Sequence, residues 1–151
     1  MTLDAGDDAP EVTAKNQHGE TVSPSFEEPT VVYFYPRDDT PGCTVEAKQF
    51  NAELETYHDA GVTVYGVSTD DVESHEAFAE KFDLDFDLLA DSDGEDIADA
   101  FGVEVENGFT PRTTFVVADG EVQAFYPGVD PDGHARDVLQ EMLDDELAVL
   151  K

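Results

Sequence analysis

The residue best able to do chemistry in this sequence is Cys43, the single cysteine of the chain. A thiolate is a strong nucleophile, yet an ordinary thiol, with a pKa of about 8.5, is only about 3% ionised at pH 7. Making such a group roughly 90% thiolate requires a pKa of about 6, which corresponds to about 3.4 kcal/mol of differential stabilisation. Most lone cysteines are inert core residues that never receive it. Three features set Cys43 apart. The apolar, β-prone run Thr30 to Tyr35 leads into Pro36-Arg37-Asp38-Asp39-Thr40-Pro41-Gly42-Cys43, a loop that delivers the sulfur to the start of the next helix. Unpaired backbone N–H groups and the positive end of the helix dipole favour an anion there. The loop also lies at the carboxyl end of a strand, where reactive sites of α/β sheets gather. Asp38, Asp39 and Glu46 are close in sequence and oppose the anion, so a cation is needed. Arg112, at the mouth of the apolar strand in Thr110-Pro111-Arg112-Thr113-Thr114-Phe115, is the candidate; a salt bridge to one of the many carboxylates is its plainer alternative.

The elements that must position these residues follow from hydrophobic period. Thr30 to Tyr35, Val62 to Ser68 and Thr113 to Val117 are nearly continuous apolar runs, expected for strands buried on both faces. Val12 to Ala14 and Glu20 to Val22 flank Asn16-Gln17-His18-Gly19 and predict an N-terminal β-hairpin; Asp119-Gly120 predicts a tight turn between 113–117 and 121–126. Cys43, Ala47, Phe50, Leu54 and Tyr57 form one stripe of a helix ending near Gly61. A second helix is expected from about Asp71 to Phe82, with Val72, His75, Phe78 and Phe82 inward. A short third runs from about Glu95 to Phe101 around Ile97, and a last one from roughly Asp132 to Ala148 uses Ala135, Val138, Leu139, Met142 and Leu147. The order β-β-β-α-β-α-β-α-β-β-α predicts an α/β fold with a central mixed sheet flanked by helices, in a single domain spanning 1–151. His18, His58, His75 and His134 are expected to be surface or packing residues.

Composition bounds what this scaffold can do. Seven Lys and Arg stand against 37 Asp and Glu, giving a net charge of -30 and a pI of about 4.1. Such a surface repels phosphates, which argues against nucleic acid and anionic membrane partners. A hydrophobic fraction of 40%, with 10 Phe and 5 Tyr, is enough for a core, so the charge does not imply disorder. The acids are spread along the whole chain, as on a surface adapted to molar salt, where repulsion is screened. Asp83-x-Asp85-x-Asp87 lacks the glycine and the glutamate that a calcium loop requires. The N-terminus lacks the charged and apolar regions of a signal peptide, and no apolar run approaches a membrane span; a cytoplasmic location is expected. With one cysteine, neither an internal disulfide nor a Cys-rich metal site can form.

Pro36-x-x-x-Thr40-x-x-Cys43 resembles the active-site motif of the peroxiredoxins, and the longer run Tyr33 to Ala47 resembles the peroxiredoxin Q or bacterioferritin comigratory protein subfamily. The likeness extends through Gly66-Val67-Ser68, Ser74-His75, Phe78 to Phe82, Leu88 to Asp91 and Arg112 to Val116. It implies a thioredoxin-like fold and a thiol peroxidase that reduces hydrogen peroxide and organic hydroperoxides without metal, haem or flavin. Cys43 would then be the peroxidatic nucleophile, with Thr40 directing its hydroxyl at the thiolate and the peroxide, or capping the helix. Pro36 would shield the thiolate, and Arg112 would hold the sulfur anionic and stabilise the leaving oxygen.

One departure from that subfamily matters. Many members carry a resolving cysteine five residues after the first, where this chain has Lys48, expected to be a solvated helix residue. The sulfenic acid would therefore be reduced by an external thiol, either a small one or a thioredoxin-type protein, and would overoxidise readily. The resemblance implies a monomer or weak dimer. A competing possibility is a non-catalytic peroxide sensor or thioredoxin-like binding module that signals through Cys43 oxidation; a disulfide oxidoreductase is disfavoured because Cys-x-x-Cys is absent.

Overall fold

A computed structural model describes residues 3–91, 96–105 and 108–145. Its elements are β1 (Ala14–Lys15), β2 (Thr21–Val22), β3 (Thr30–Phe34), α1 (Pro41–Asp59), β4 (Thr63–Ser68), α2 (Val72–Phe82), β5 (Asp87–Ala90), α3 (Asp96–Phe101), β6 (Thr113–Ala118), β7 (Glu121–Pro127) and α4 (His134–Asp144). They follow the order expected from the sequence. Seven strands form one mixed sheet in the order β2-β1-β5-β4-β3-β6-β7. β3, β4 and β5 run parallel, which requires crossovers through α1 and α2. β6 returns antiparallel to β3 with Phe34 opposite Thr113, so the C-terminal end of β3 and the N-terminal start of β6 lie side by side at one end of the central strands.

The continuous apolar runs are central strands. Every residue of β3 and β6 is buried, and alternate side chains serve different cores. Val31, Tyr33 and Tyr35 face α1, α2 and α4, packing with Phe50, Phe78 and Met142. Val32 and Phe34 face the other side, with Ile97 and Phe101 of α3 and Phe115 of β6. This is the expected thioredoxin-like arrangement of a mixed sheet with helices on both faces.

Local chemistry sets the ends. Pro41 stands in the first turn of α1, where its missing N–H costs nothing, and Gly61, at φ 78°, lies just past its end. Asp71 caps α2 by accepting the Ser74 N–H at 2.8 Å. Asp119 and Gly120 both have positive φ, giving the two-residue turn that matches the twist of the β6–β7 hairpin. The N-terminal hairpin is shorter than expected: β1 is only Ala14 and Lys15, and Val12 packs ahead of it into the second core. On α2, His75, Phe78 and Ala79 are buried whereas Val72 and Phe82 are half-buried. The last helix begins at His134 rather than Asp132, because Gly133 occupies the left-handed region at φ 84°, and it ends at Asp144, short of Ala148. Glu95, Leu147 and Ala148 lie outside the described residues. Among the described residues no helix is long and apolar enough to cross a membrane.

Candidate active site

The pairing of the end of β3 with the start of β6 explains how residues 69 positions apart come together. The chain leaves β3 through Tyr35 and half-buried Pro36 and turns at Asp39, whose φ is 57°. It then enters α1, which places Cys43 in the first helical turn, 2% exposed. Arg112 immediately precedes β6. Its Nη2 donates toward Cys43 Sγ at 3.4 Å, while Nη1 donates to Glu46 Oε1 at 3.2 Å. Glu46 is three residues on from Cys43 along α1, hence on the same face. One guanidinium therefore contacts both the sulfur and a carboxylate.

Gly42 makes that approach possible. A Cβ at this position would lie 2.5 Å from Arg112 Nη2, so the absence of a side chain lets the guanidinium lie against the helix start. Pro131, in the segment before α4, closes the other side at 3.6 Å from the same point. Gly42 was not singled out as a site residue in the sequence; its position beside Cys43 was visible, but its contact with Arg112 depends on the strand pairing.

Glu46 was expected to oppose the anion. It is buried, and burial pushes its carboxyl up to about 7 even though Arg112 pulls the other way. Near neutral pH it is therefore partly protonated, which weakens its opposition to a thiolate. Its Oε2 and the Tyr33 hydroxyl are buried without a hydrogen-bond partner among the described residues. Burial and the nearby Glu46 also hold the Tyr33 phenol neutral, well above its ordinary pKa.

Thr40 sits at the N-cap of α1, but its side chain makes no capping bond. The hydroxyl donates to the Arg37 carbonyl at 3.0 Å, across the loop, so the expected cap is absent and the hydrogen is committed to loop shape. Asp38 also departs from expectation. Its carboxylate turns inward and accepts from the Tyr35 hydroxyl at 2.5 Å and the Ser74 hydroxyl at 2.8 Å, and lies 2.7 Å from His75 Nδ1. No spacing rule links Asp38 to His75; docking of α2 does. Asp38, Asp70 and His75 have the donor types of a metal site within 4.8 Å of one another. Their facing atoms are already engaged, since Asp70 accepts from the Asp38 N–H at 2.7 Å and from Ser68 at 2.8 Å.

Among the described residues the exposed large apolar side chains are Val45 (38% exposed), two residues after Cys43, and Phe109 (41%), three residues before Arg112, with the Arg37 guanidinium 6.0 Å from the Phe109 ring. Lys48 is exposed as expected, 6.0 Å from the Phe82 ring. Of the histidines, His75 is fully buried and His134 nearly so, the latter bonded to Thr114 at 2.8 Å.

Comparison with known proteins bears on this arrangement. Residues 5–125 match the AhpC/TSA family. Peroxiredoxin Q of Populus jackii is 42% identical over 91% of this chain and 67% of its own length. Peroxiredoxin Bcp of Bacillus subtilis is 36% identical over 95% of this chain and 98% of its own. The crystal structure of peroxidoxin BcpB from Mycobacterium tuberculosis superposes with a TM-score of 0.86 at 31% identity, covering 94% and 97% of the two chains. With relatives that match this closely over nearly the whole sequence, the chain belongs to the AhpC/TSA family as a peroxiredoxin of the Q and Bcp type, a thiol peroxidase.

Proposed function

We propose that the whole chain acts as one peroxiredoxin domain, using Cys43 as the nucleophile of a one-cysteine cycle on hydrogen peroxide and organic hydroperoxides. The Cys43 thiolate attacks the nearer peroxide oxygen, the O–O bond breaks, and the departing oxygen leaves with both bonding electrons and takes a proton, giving water or an alcohol. Arg112 stabilises the anionic sulfur and then the charge on the departing oxygen. The backbone N–H of Cys43 assists at the same place. Thr40 shapes the loop through Arg37 and holds its oxygen toward the peroxide, and Pro36 limits water at the strand exit. The exposed Phe109 ring, on the segment that leads to Arg112, suits the tail of an organic hydroperoxide. The observation that carries this assignment is the 3.4 Å approach of Arg112 Nη2 to the sulfur of the chain's single cysteine.

With no second cysteine, an external thiol, small or carried by a thioredoxin-type protein, attacks the Cys43 sulfenic acid and releases water. A second thiol then attacks the mixed disulfide, releasing an oxidised disulfide and restoring Cys43. A cytoplasmic, monomeric or weakly dimeric protein from a salt-adapted source accords with the charge of -30. The test is peroxide consumption with a supplied thiol. Turnover abolished by Cys43→Ser supports the assignment, and turnover retained by that variant sinks it. One oxidation per chain without cycling would favour a sensor instead. Intact mass after excess peroxide is expected to reach a gain of two oxygens, whereas a lasting gain of one would contradict ready overoxidation.

A further inference from the structure

The most heavily bonded carboxylate around the active-site loop is Asp38, five residues before Cys43. It is 8% exposed, and His75 is 0% exposed. His75 Nε2 lies 3.0 Å from the Leu89 carbonyl, which can only accept, so Nε2 carries a hydrogen. On the other side of the ring, Nδ1 and Asp38 Oδ2 share a hydrogen bond of 2.7 Å. Tyr35 and Ser74 add their hydroxyls to the same carboxylate, and the Asp38 N–H is held by Asp70. A buried carboxylate with this many internal partners is expensive to disrupt, and it ties the loop to α2 and, through Leu89, to β5.

The clasp also reaches the other half of the site. Tyr35, whose hydroxyl holds Asp38, accepts the Thr110 hydroxyl on its backbone carbonyl at 2.7 Å. Thr110 is two residues before Arg112, and the same segment is anchored by Thr69 Oγ1 on the Gly108 carbonyl at 2.5 Å. Tyr35 is thus the common member of two bond sets, one fixing the loop that carries Cys43 and one fixing the strand entry that carries Arg112.

We propose that Asp38 and His75, with Tyr35, are positioning residues for peroxide reduction: they hold the Cys43 loop in register with Arg112 without touching the peroxide. The proposal rests on Cys43 and Arg112 being the reacting pair. Peroxide reduction needs sulfur and guanidinium aligned together, whereas alkylation by iodoacetamide, with each rate taken from its high-pH plateau where the thiol is fully ionised, needs only an accessible thiolate. Loosening the clasp should separate the two rates.

The test uses stopped-flow oxidation of the reduced full-length protein by hydrogen peroxide, beside iodoacetamide alkylation of Cys43, in Asp38→Asn and His75→Asn variants whose fold is checked by circular dichroism. Oxidation is expected to slow by about 10- to 100-fold, the scale on which small misplacements act, with alkylation within about threefold of the unmodified chain or faster. Oxidation within about twofold in a folded variant, or both rates falling in proportion, would overturn the proposal. Should both variants fail to fold, Tyr35→Phe decides: it keeps the packed ring and removes one donor. Slower oxidation at constant alkylation supports the clasp, and unchanged oxidation overturns it. Arg112→Lys serves as the control, because oxidation unaffected by that change would show that the assignment of the reacting pair, and not the clasp, had failed.

Discussion

At the scale of the residue, one guanidinium makes two contacts, with the Cys43 sulfur and with Glu46, and Gly42 leaves it room. Because Gly42 leaves room for Arg112 Nη2 where a Cβ would lie 2.5 Å away, Gly42→Ala should push the flexible guanidinium off the sulfur rather than unfold the helix, Ala being the better helix former. Oxidation of Cys43 by peroxide should slow by at least about 10-fold, toward the loss of about 100-fold expected when a charge-stabilising donor is removed, with little change in unfolding midpoint. An unaltered oxidation rate would mean that the contact does not matter. Glu46 gives a pH signature. Its carboxyl is raised from 4.5 to about 7 by burial, so between those pH values the folded chain keeps a proton that the unfolded chain has lost. Its contribution to stability is full below about 4.5 and is lost as pH rises through 7, at up to about 1.4 kcal/mol per pH unit. Glu46→Gln removes this titration while keeping an acceptor for Arg112. Denaturant titrations across the window should therefore show the variant gaining on the parent as pH rises, by on the order of 3 kcal/mol in all, and parallel stability curves would contradict it. His134 has the opposite sign, since burial lowers its pKa from 6.5 to about 4 and its contribution is lost as pH falls through that range. Only the difference between parent and variant isolates Glu46.

At the scale of the element, α2 is the part of the scaffold that supports the loop without belonging to it. Asp71 caps it through the Ser74 N–H, and Ser74 in turn reaches Asp38. Asp71→Ala should cost about 1 kcal/mol of stability, the usual value of an N-cap, measurable as a lower denaturant midpoint at constant slope; no loss would mean that solvent replaces the cap. The elements themselves were largely legible in the sequence. The doubly buried runs of β3 and β6 and the stripe Cys43, Ala47, Phe50, Leu54 and Tyr57 all stand where their period placed them. What periodicity lacks is pairing between distant elements. Arg112 could be singled out because cations are scarce, but its reach to both Cys43 and Glu46 depends on the antiparallel register of β3 and β6. Asp38 read as an acid opposing the Cys43 anion and His75 as a surface or packing residue, since nothing local marks two polar groups 37 positions apart as partners. The capping alternative for Thr40 fails for a different reason: its hydroxyl has a competing carbonyl within its own loop, three residues back.

At the scale of the whole molecule, the charge of -30 is a property of the surface. Among the described residues only Asp38, Glu46 and Asp91 are buried carboxylates, and each has an internal partner: His75, Arg112 and the first N–H groups of α3. The remaining described acids are half-buried or exposed, with Lys81, Arg112 and Arg136 the described Lys and Arg side chains that form ion pairs with carboxylates. Self-repulsion on this scale acts against the compact state, and it acts over the Debye length, about 10 Å at 0.1 M salt and about 3 Å at 1 M. The unfolding midpoint should therefore rise steadily from about 0.1 M to molar sodium chloride at pH 7. Salt also strengthens apolar burial, so the rise alone does not identify repulsion. The pI of about 4.1 separates the two. Near pH 5 a share of the surface carboxylates is protonated and repulsion falls, whereas apolar burial is unchanged. A repulsive origin thus predicts a clearly shallower dependence on salt at pH 5 than at pH 7. Equal slopes at the two pH values would assign the salt response to the apolar core, and a midpoint indifferent to salt at pH 7 would remove the case for a salt-adapted surface.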